Sequence, residues 1–139
     1  MASNDKTVAD LDLNDEHITA GLEDSLQEAA KRLLTVPGGI LVILDDHSRV
    51  KGVIGHKQIL TAIVKGAEPS NTKCSDYMEM DFMEIQHDQT LSKVLKQIKQ
   101  RTPQAVVSVD ENGEFSGYFS PSDYMESKSL VKSLKSLKL

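Results

Sequence analysis

Ser120, Ser122 and Asp123 fall within four residues, where the apolar run ending Tyr118-Phe119 meets Pro121. Proline suits the first position of a helix, so a helix is expected to start here. The free N–H groups and positive dipole of a helix start favour an anion such as phosphate. The hydroxyls of Ser120 and Ser122 would add donors to such a site. An ionised Asp123 only accepts hydrogen bonds, so it repels phosphate and suits a pair of hydroxyl groups. A second reading needs no ligand. Ser-x-x-Asp at a helix start is a capping-box variant, with which any helix satisfies its own first N–H groups. Both readings stay open on these residues alone, and the two can hold together.

Other candidates for chemistry are sparse. His17, His47, His56 and His87 stand singly, without the close pairing usual in zinc sites, and read as surface residues; no metal is expected. The sequence contains no HExxH, GxSxG, phosphate-loop lysine motif or CxxC pair, so no residues stand out to carry catalysis and no enzyme is expected. The single cysteine, Cys74, excludes an internal disulfide and fits a reducing cytoplasm. Tyr77, Met78, Met80, Phe82 and Met83 form a Met-aromatic cluster that reads as core filling in preference to a Met-rich partner groove.

The elements that must position Ser120 and Asp123 are written twice. Shifting the chain by 65 residues superimposes 25–60 on 90–125 without a gap. Identities are few: Leu26/Leu91, Lys31/Lys96, Val42/Val107, Asp45/Asp110 and Gly52/Gly117. Residue class is kept far better. Of sixteen apolar positions in the first copy, thirteen are apolar in the second, where composition alone predicts roughly six.

Each copy reads alike. Leu26, Ala29, Ala30 and Leu33 form the stripe of a core-facing helix, repeated by Leu91, Val94, Leu95 and Ile98. Ser25 and Glu28 precede the first stripe as a capping-box pattern. The apolar runs Ile40 to Leu44 and Ala105 to Val109 are short enough for buried strands. Acidic turns follow at 45–48 and 110–113, the second containing Asn112-Gly113, a hairpin signal. A further strand ends at Val53-Ile54 and at Tyr118-Phe119. Helices then begin near His56 and Pro121, the first striped by Ile59, Leu60, Ile63 and Val64 and ended by Gly66. Short strands are expected at 18–20 and 83–85. The unit is β-α-β-β-α, in an α/β (α+β) chain whose two halves are each too small to be stable alone and should pack face to face. The boundaries expected are 7–66 for the first repeat, 67–72 for a linker, 73–127 for the second and 128–139 for a basic amphipathic tail.

Composition agrees with one globular domain: 139 residues, 39% hydrophobic and 27% charged. No apolar run approaches the roughly 20 residues of a membrane helix, and no signal sequence is expected. The formal charge of −5 weighs against nucleic acid as a partner. Residues 1–30 carry eight acids and one lysine; 126–139 carry one acid and four lysines. These ends read as solvated surface, although they could meet within or between chains.

The repeat resembles the cystathionine β-synthase (CBS) domain pair, or Bateman module, over about 7–127. The resemblance is carried by Cys74-Ser75-Asp76-Tyr77-Met78, similar to the family's V-x-D-h-M. It is carried also by the strand running into acidic turn residues at 106–111 and by Gly117-Tyr118-Phe119-Ser120-Pro121-Ser122-Asp123, similar to G-h-h-[ST]-x-x-D. The resemblance implies a regulatory module without a reaction of its own. It implies an adenosyl ligand (AMP, ADP, ATP or S-adenosylmethionine) in the cleft between repeats, with no required cofactor. Asp123 would hold the ribose hydroxyls, Ser120 and Ser122 would meet phosphate, and the base would lie against Ile18, Thr19, Gly39 and Ile40. Gly38-Gly39 reads equally as a plain helix-to-strand turn. The first copy departs from the motif, with Gly55 in place of Ser120 and Gln58 in place of Asp123; Lys57 or His56 could still meet an anion there. The resemblance further implies a homodimer formed through helices near 57–65 and 121–134, a cytoplasmic location and an unidentified regulated protein. The alternative is a ligand-free dimerisation or protein-interaction module in which Ser120 and Asp123 only cap a helix.

Overall fold

The computed structural model describes residues 6–14 and 16–137, with side chains described through Val131. The first five residues, Asp15 and the lysine-rich end beyond 131, including the expected meeting of acidic start and basic tail, lie outside the described side chains.

The β-α-β-β-α unit occurs twice. The first copy contains β1 (His17–Gly21), α1 (Leu26–Leu33), β2 (Ile40–Leu44), β3 (Val50–Ile54) and α2 (His56–Val64). The second contains β4 (Phe82–Gln86), α3 (Leu91–Arg101), β5 (Ala105–Val109), β6 (Phe115–Phe119) and α4 (Pro121–Leu137). Each copy makes a three-stranded sheet in chain order. β1 runs parallel to β2 and β3 antiparallel to it; β4, β5 and β6 repeat the arrangement. Even the irregularity is repeated: the antiparallel register shifts between Ile43 and Leu44, and again between Ser108 and Val109. Those positions are 65 apart, so the repeat extends to backbone detail.

Among the described residues three apolar clusters hold the fold together. One belongs to the first copy, with Leu26, Ala29, Leu33, Leu41, Ile43 and Ile54. One belongs to the second, with Met83, Ile85, Leu91, Val94, Val106 and Phe119. The third joins them: Val42, Val50 and Val107, flanked by Ile40, Leu44, Phe82 and Phe115, pack the two sheets face to face. β5 is buried along its whole length, as a continuous apolar run requires when both faces of a strand are covered.

The lead-in to each copy lies on the other. Lys6 and the short helical turn Val8–Asp10 run along the second copy: the Leu91 N–H donates to the Lys6 carbonyl and the Val8 N–H to Gln89. Tyr118 N–H donates to the Leu13 carbonyl at 3.0 Å. In the mirror arrangement, Leu26 N–H donates to Thr72, Cys74 N–H to Asp24, and Val53 exchanges bonds with Glu79. Val8 and Leu13 accordingly join the second core, and Cys74 joins the first. The two copies are thereby tied by backbone bonds as well as by apolar contact.

Two details differ from the sequence reading. Ser25 caps α1 by accepting from Glu28 N–H at 3.1 Å, but the Glu28 carboxylate turns to Arg32 at 3.4 Å instead of closing the box. In α2, Leu60, Ile63 and Val64 are exposed and only Ala62 is fully buried. Of the expected stripe on α2, only Ile59 packs against the core, and Leu60, Ile63 and Val64 face outward.

Candidate functional site

β6 delivers Ser120 to the start of α4, and the two ends of the Ser-x-x-Asp motif close on each other. The Ser120 N–H and Oγ both donate to Asp123 Oδ2, each at 2.9 Å. The Asp123 N–H in turn lies 3.1 Å from Ser120 Oγ. Both residues are buried, Ser120 to 1% exposure and Asp123 to 7%. The capping function is thus realised, and a carboxylate at this end also complements the helix dipole. Pro121 has no N–H, and the Tyr124 N–H goes to the Ser120 carbonyl. Ser122 N–H is the remaining donor at the start of α4. One turn on, Ser127 Oγ donates to the Asp123 carbonyl at 2.7 Å and is fully buried.

Residues of the first copy come up against this motif. Ser122 Oγ lies 3.5 Å from Glu16 Oε1, long for a hydroxyl bond but close for a charged neighbour. The His17 ring meets Phe115 edge-on at 5.2 Å and Tyr118 at 6.3 Å, so this histidine is half-buried between copies and is not a surface residue. Burial, together with the Glu16 and Asp123 carboxylates, pushes the Tyr118 phenol up to about 12. A negative, partly enclosed corner therefore forms where β1 begins and α4 begins.

The backbone that presents Glu16 is tightly specified. Glu16 has φ of 60°, a left-handed conformation uncommon for a residue with a side chain. Its carbonyl accepts from Ile40 N–H at 3.2 Å. A Cβ on Gly39 would fall within 2.1 Å of that carbonyl oxygen, so only glycine permits the approach. Gly39 N–H is itself used by Val36 O at 2.7 Å. The Gly39 and Ile40 amides are thus engaged within the fold, and Gly39 serves the turn and the approach of Glu16. Ile18 and Thr19 sit on β1 opposite Leu41 and Val42. Ile18 packs against the first core, and the Thr19 carbonyl accepts from Arg32 at 3.0 Å.

The expected residues are thus gathered in part. Ser120 and Asp123 form one bonded unit, with Ser122 exposed beside it, and Glu16 connects that corner to the Gly39-Ile40 edge. A cavity of about 140 Å³ borders Ser120, lined also by Ile98, Ala105, Tyr118, Phe119 and Tyr124. That is below the roughly 300 Å³ at which small-molecule sites begin, and its whole lining comes from the second copy, so this cavity is not the cleft between copies. Glu16 was not legible as a site residue. The motif-bearing stretch names Tyr118, but only the fold brings Glu16 to it.

The first copy repeats the reach-back with other chemistry. The Gln58 amide oxygen accepts from Gly55 N–H at 2.8 Å, where the second copy has a carboxylate. His56 and Lys57 are exposed. Beyond the cleft, α2 presents a groove of about 490 Å³ lined by Lys57, Leu60, Thr61, Val64 and Lys65. The Met-aromatic cluster is mixed: Met83 is buried, whereas Met80 is 69% exposed. Among the described residues no group of three or more His, Cys, Asp or Glu could hold a metal ion. No described helix is long and apolar enough to cross a membrane.

Comparison with known proteins agrees with this architecture. The CBS domain family model matches residues 8–65 and again 74–129. Cystathionine beta-synthase of Apis mellifera is 25% identical over 92 residues, or 63% of this chain; the match covers only 17% of that enzyme's length. Among solved structures, an uncharacterized conserved protein of Pyrococcus horikoshii superimposes with a TM-score of 0.72 at 20% identity, covering 89% of this chain and 92% of its own. CBSX2 in complex with AMP gives 0.70 at 15% identity, covering 91% and 98%. The cytosolic domain of the Mg2+ channel MgtE in complex with ATP gives 0.66 at 17% identity, covering 82% and 46%. At these identities the structural likeness speaks for the fold. Two tandem matches, each falling on one β-α-β-β-α copy, show that the chain belongs to the CBS domain family, paired as a Bateman-type regulatory module.

Proposed function

We propose that this chain is a non-catalytic regulatory module that binds one adenosyl ligand in the cleft between its copies and signals occupancy to a partner protein. The observation that carries the reading is the Ser120–Asp123 unit at the start of α4, beside Tyr118 of its own copy and facing Glu16 across the boundary between copies. Asp123 would accept from the ribose hydroxyls, since an ionised carboxylate only accepts hydrogen bonds. Ser120 and Ser122 would meet the substituent on the ribose, and Ile18, Thr19, Gly39 and Ile40 would flank the base. Relatives of the same fold solved with AMP and with ATP support the ligand class. The first copy lacks both the hydroxyl and the carboxylate, so one ligand per chain is expected.

The same reading includes a homodimer. Leu60, Ile63 and Val64 on α2 and Met125 on α4 are more than half exposed, an apolar face that a second copy would cover. Cys74 takes no part in it. Its thiol is buried, and that burial pushes its pKa up to about 11. A cytoplasmic setting, where thiols stay reduced, fits this cysteine.

A ligand-free interaction module is the competing reading, favoured by the closed capping box, which leaves Ser120 and Asp123 satisfied without a ligand. Thermal shift of the pure protein against AMP, ADP, ATP, S-adenosylmethionine and NADH separates the two. A ligand bound to the native state raises the melting temperature by mass action. A shift with an adenosyl compound supports the first reading, and no shift with any of them supports the second.

A further inference from the structure

We propose that Glu16 makes the cleft select by charge, so that it takes adenosyl ligands that are uncharged or cationic at the 5′ position in preference to those bearing phosphate there. This rests on the adenosyl reading above and adds to it the class of ligand.

The geometry is the argument. Ordinarily the start of a helix such as α4 would welcome an anion. Here one backbone donor remains, the Ser122 N–H, on the residue whose side chain lies beside Glu16. Pro121 supplies none, the Asp123 N–H faces Ser120 Oγ, and the Ser120 hydroxyl donates to Asp123. Ser122 Oγ points to Glu16. Two carboxylates therefore flank the place where a phosphate would approach α4. Glu16 takes part in none of the ion pairs among the described residues. Its position is also fixed from behind, because its carbonyl accepts from Ile40 and Gly39 closes against its backbone. These contacts fix the backbone from which the Glu16 side chain reaches Ser122. The side chains beside it, His17, Tyr118 and Ser122, include no lysine or arginine. The same charge that repels phosphate attracts a cation such as a sulfonium.

Calorimetric titration with adenosine, AMP, ATP and S-adenosylmethionine tests this, at pH 8 to keep imidazole charge from contributing. Wild type is expected to bind adenosine and S-adenosylmethionine more tightly than AMP, and AMP more tightly than ATP. Glu16→Gln should raise the ratio of AMP to adenosine affinity about tenfold, the size of one weakly screened like-charge contact. Glu111→Gln, in the turn at the far end of β6, should leave the ratio unmoved. A second measurement needs no variant: raising salt should tighten AMP binding to wild type relative to adenosine, because screening weakens repulsion. Tighter binding of AMP than adenosine by wild type overturns the inference, as does a ratio that neither Glu16→Gln nor salt changes. Failure of all four compounds to bind either protein overturns the adenosyl reading itself, and the charge selection with it.

Discussion

Ser120 Oγ lies 2.9 Å from Asp123 Oδ2, and the Ser120 N–H lies at the same distance from the same oxygen. One carboxylate oxygen thus holds the end of β6 against the first turn of α4. The same oxygen pattern that caps the helix would orient the carboxylate toward the cleft. Cap and ligand roles are consequently separable only by substitution that keeps one of them.

Asp123→Asn keeps the shape and an oxygen that accepts from Ser120. It should cost about 1 kcal/mol or less in stability, while weakening an adenosyl ligand by about 1.5–3 kcal/mol, or roughly 10- to 150-fold. Asp123→Ala removes the cap as well and should cost a further 0.5–2 kcal/mol or so in urea denaturation. Unchanged affinity in a folded Asp123→Asn protein assigns the residue to the cap alone.

Gly117→Ala should loosen the tie between the N-terminal lead-in and the second copy. A Cβ there would meet Leu13 Cβ at 2.7 Å and the Leu13 carbonyl at 2.9 Å. Overpacking of this kind costs about 1–3 kcal/mol. Amide exchange should quicken at Val8 and Tyr118, whose N–H groups bond across that contact. A variant with the wild-type urea midpoint and exchange pattern would contradict the swapped lead-in.

Tyr118 should make stability fall in alkali. Its pKa is about 12 in the folded chain against about 10 unfolded. The folded state therefore holds the phenol proton more tightly. That contribution is complete below about pH 10 and is lost as pH rises toward 12, in total on the order of 2–3 kcal/mol. Tyr118→Phe should flatten the stability profile over that window. A Tyr118→Phe protein whose stability falls as steeply as wild type between those pH values would contradict the burial and the nearby carboxylates.

The exposed face of α2 should mediate self-association. Val64 is 85% exposed and Leu60 61%, which is unusual for neighbouring large apolar residues on one short helix. Light scattering at micromolar concentration in reducing buffer should give a dimer mass, and Leu60→Lys with Val64→Lys should give a monomer that stays folded. A monomeric wild type would remove the dimer from the account.

Much of the fold was legible because its signals are local. The 3.6-residue stripe of Leu26, Ala29 and Leu33 and the run Ala105 to Val109 state their own burial, and each recurs in the other copy. The face of α2 was harder to read, since Leu60, Ile63 and Val64 carry the same periodicity whether they meet a core or a partner. Glu28 shows a limit of motif reading: its spacing fits a capping box, but Arg32 one turn along offers a charge and wins it. In the site, Ser120 and Asp123 could be named because both lie in one short segment. Glu16 could not, because its place beside Ser122 follows from a left-handed backbone, a glycine 23 residues on and the packing of two sheets.

The most direct test of the central claim is the number of adenosyl ligands bound per chain, read by calorimetric titration of wild type, Asp123→Asn and Gln58→Ala. In the second copy Ser120 and Asp123 offer a hydroxyl and a charge that Gly55 and Gln58 lack, a difference of roughly 2–4 kcal/mol, or about 30- to 1,000-fold. The account predicts one ligand per chain, weakened in Asp123→Asn and retained in Gln58→Ala. Two sites of equal affinity per chain, or no binding of any adenosyl compound, would contradict it.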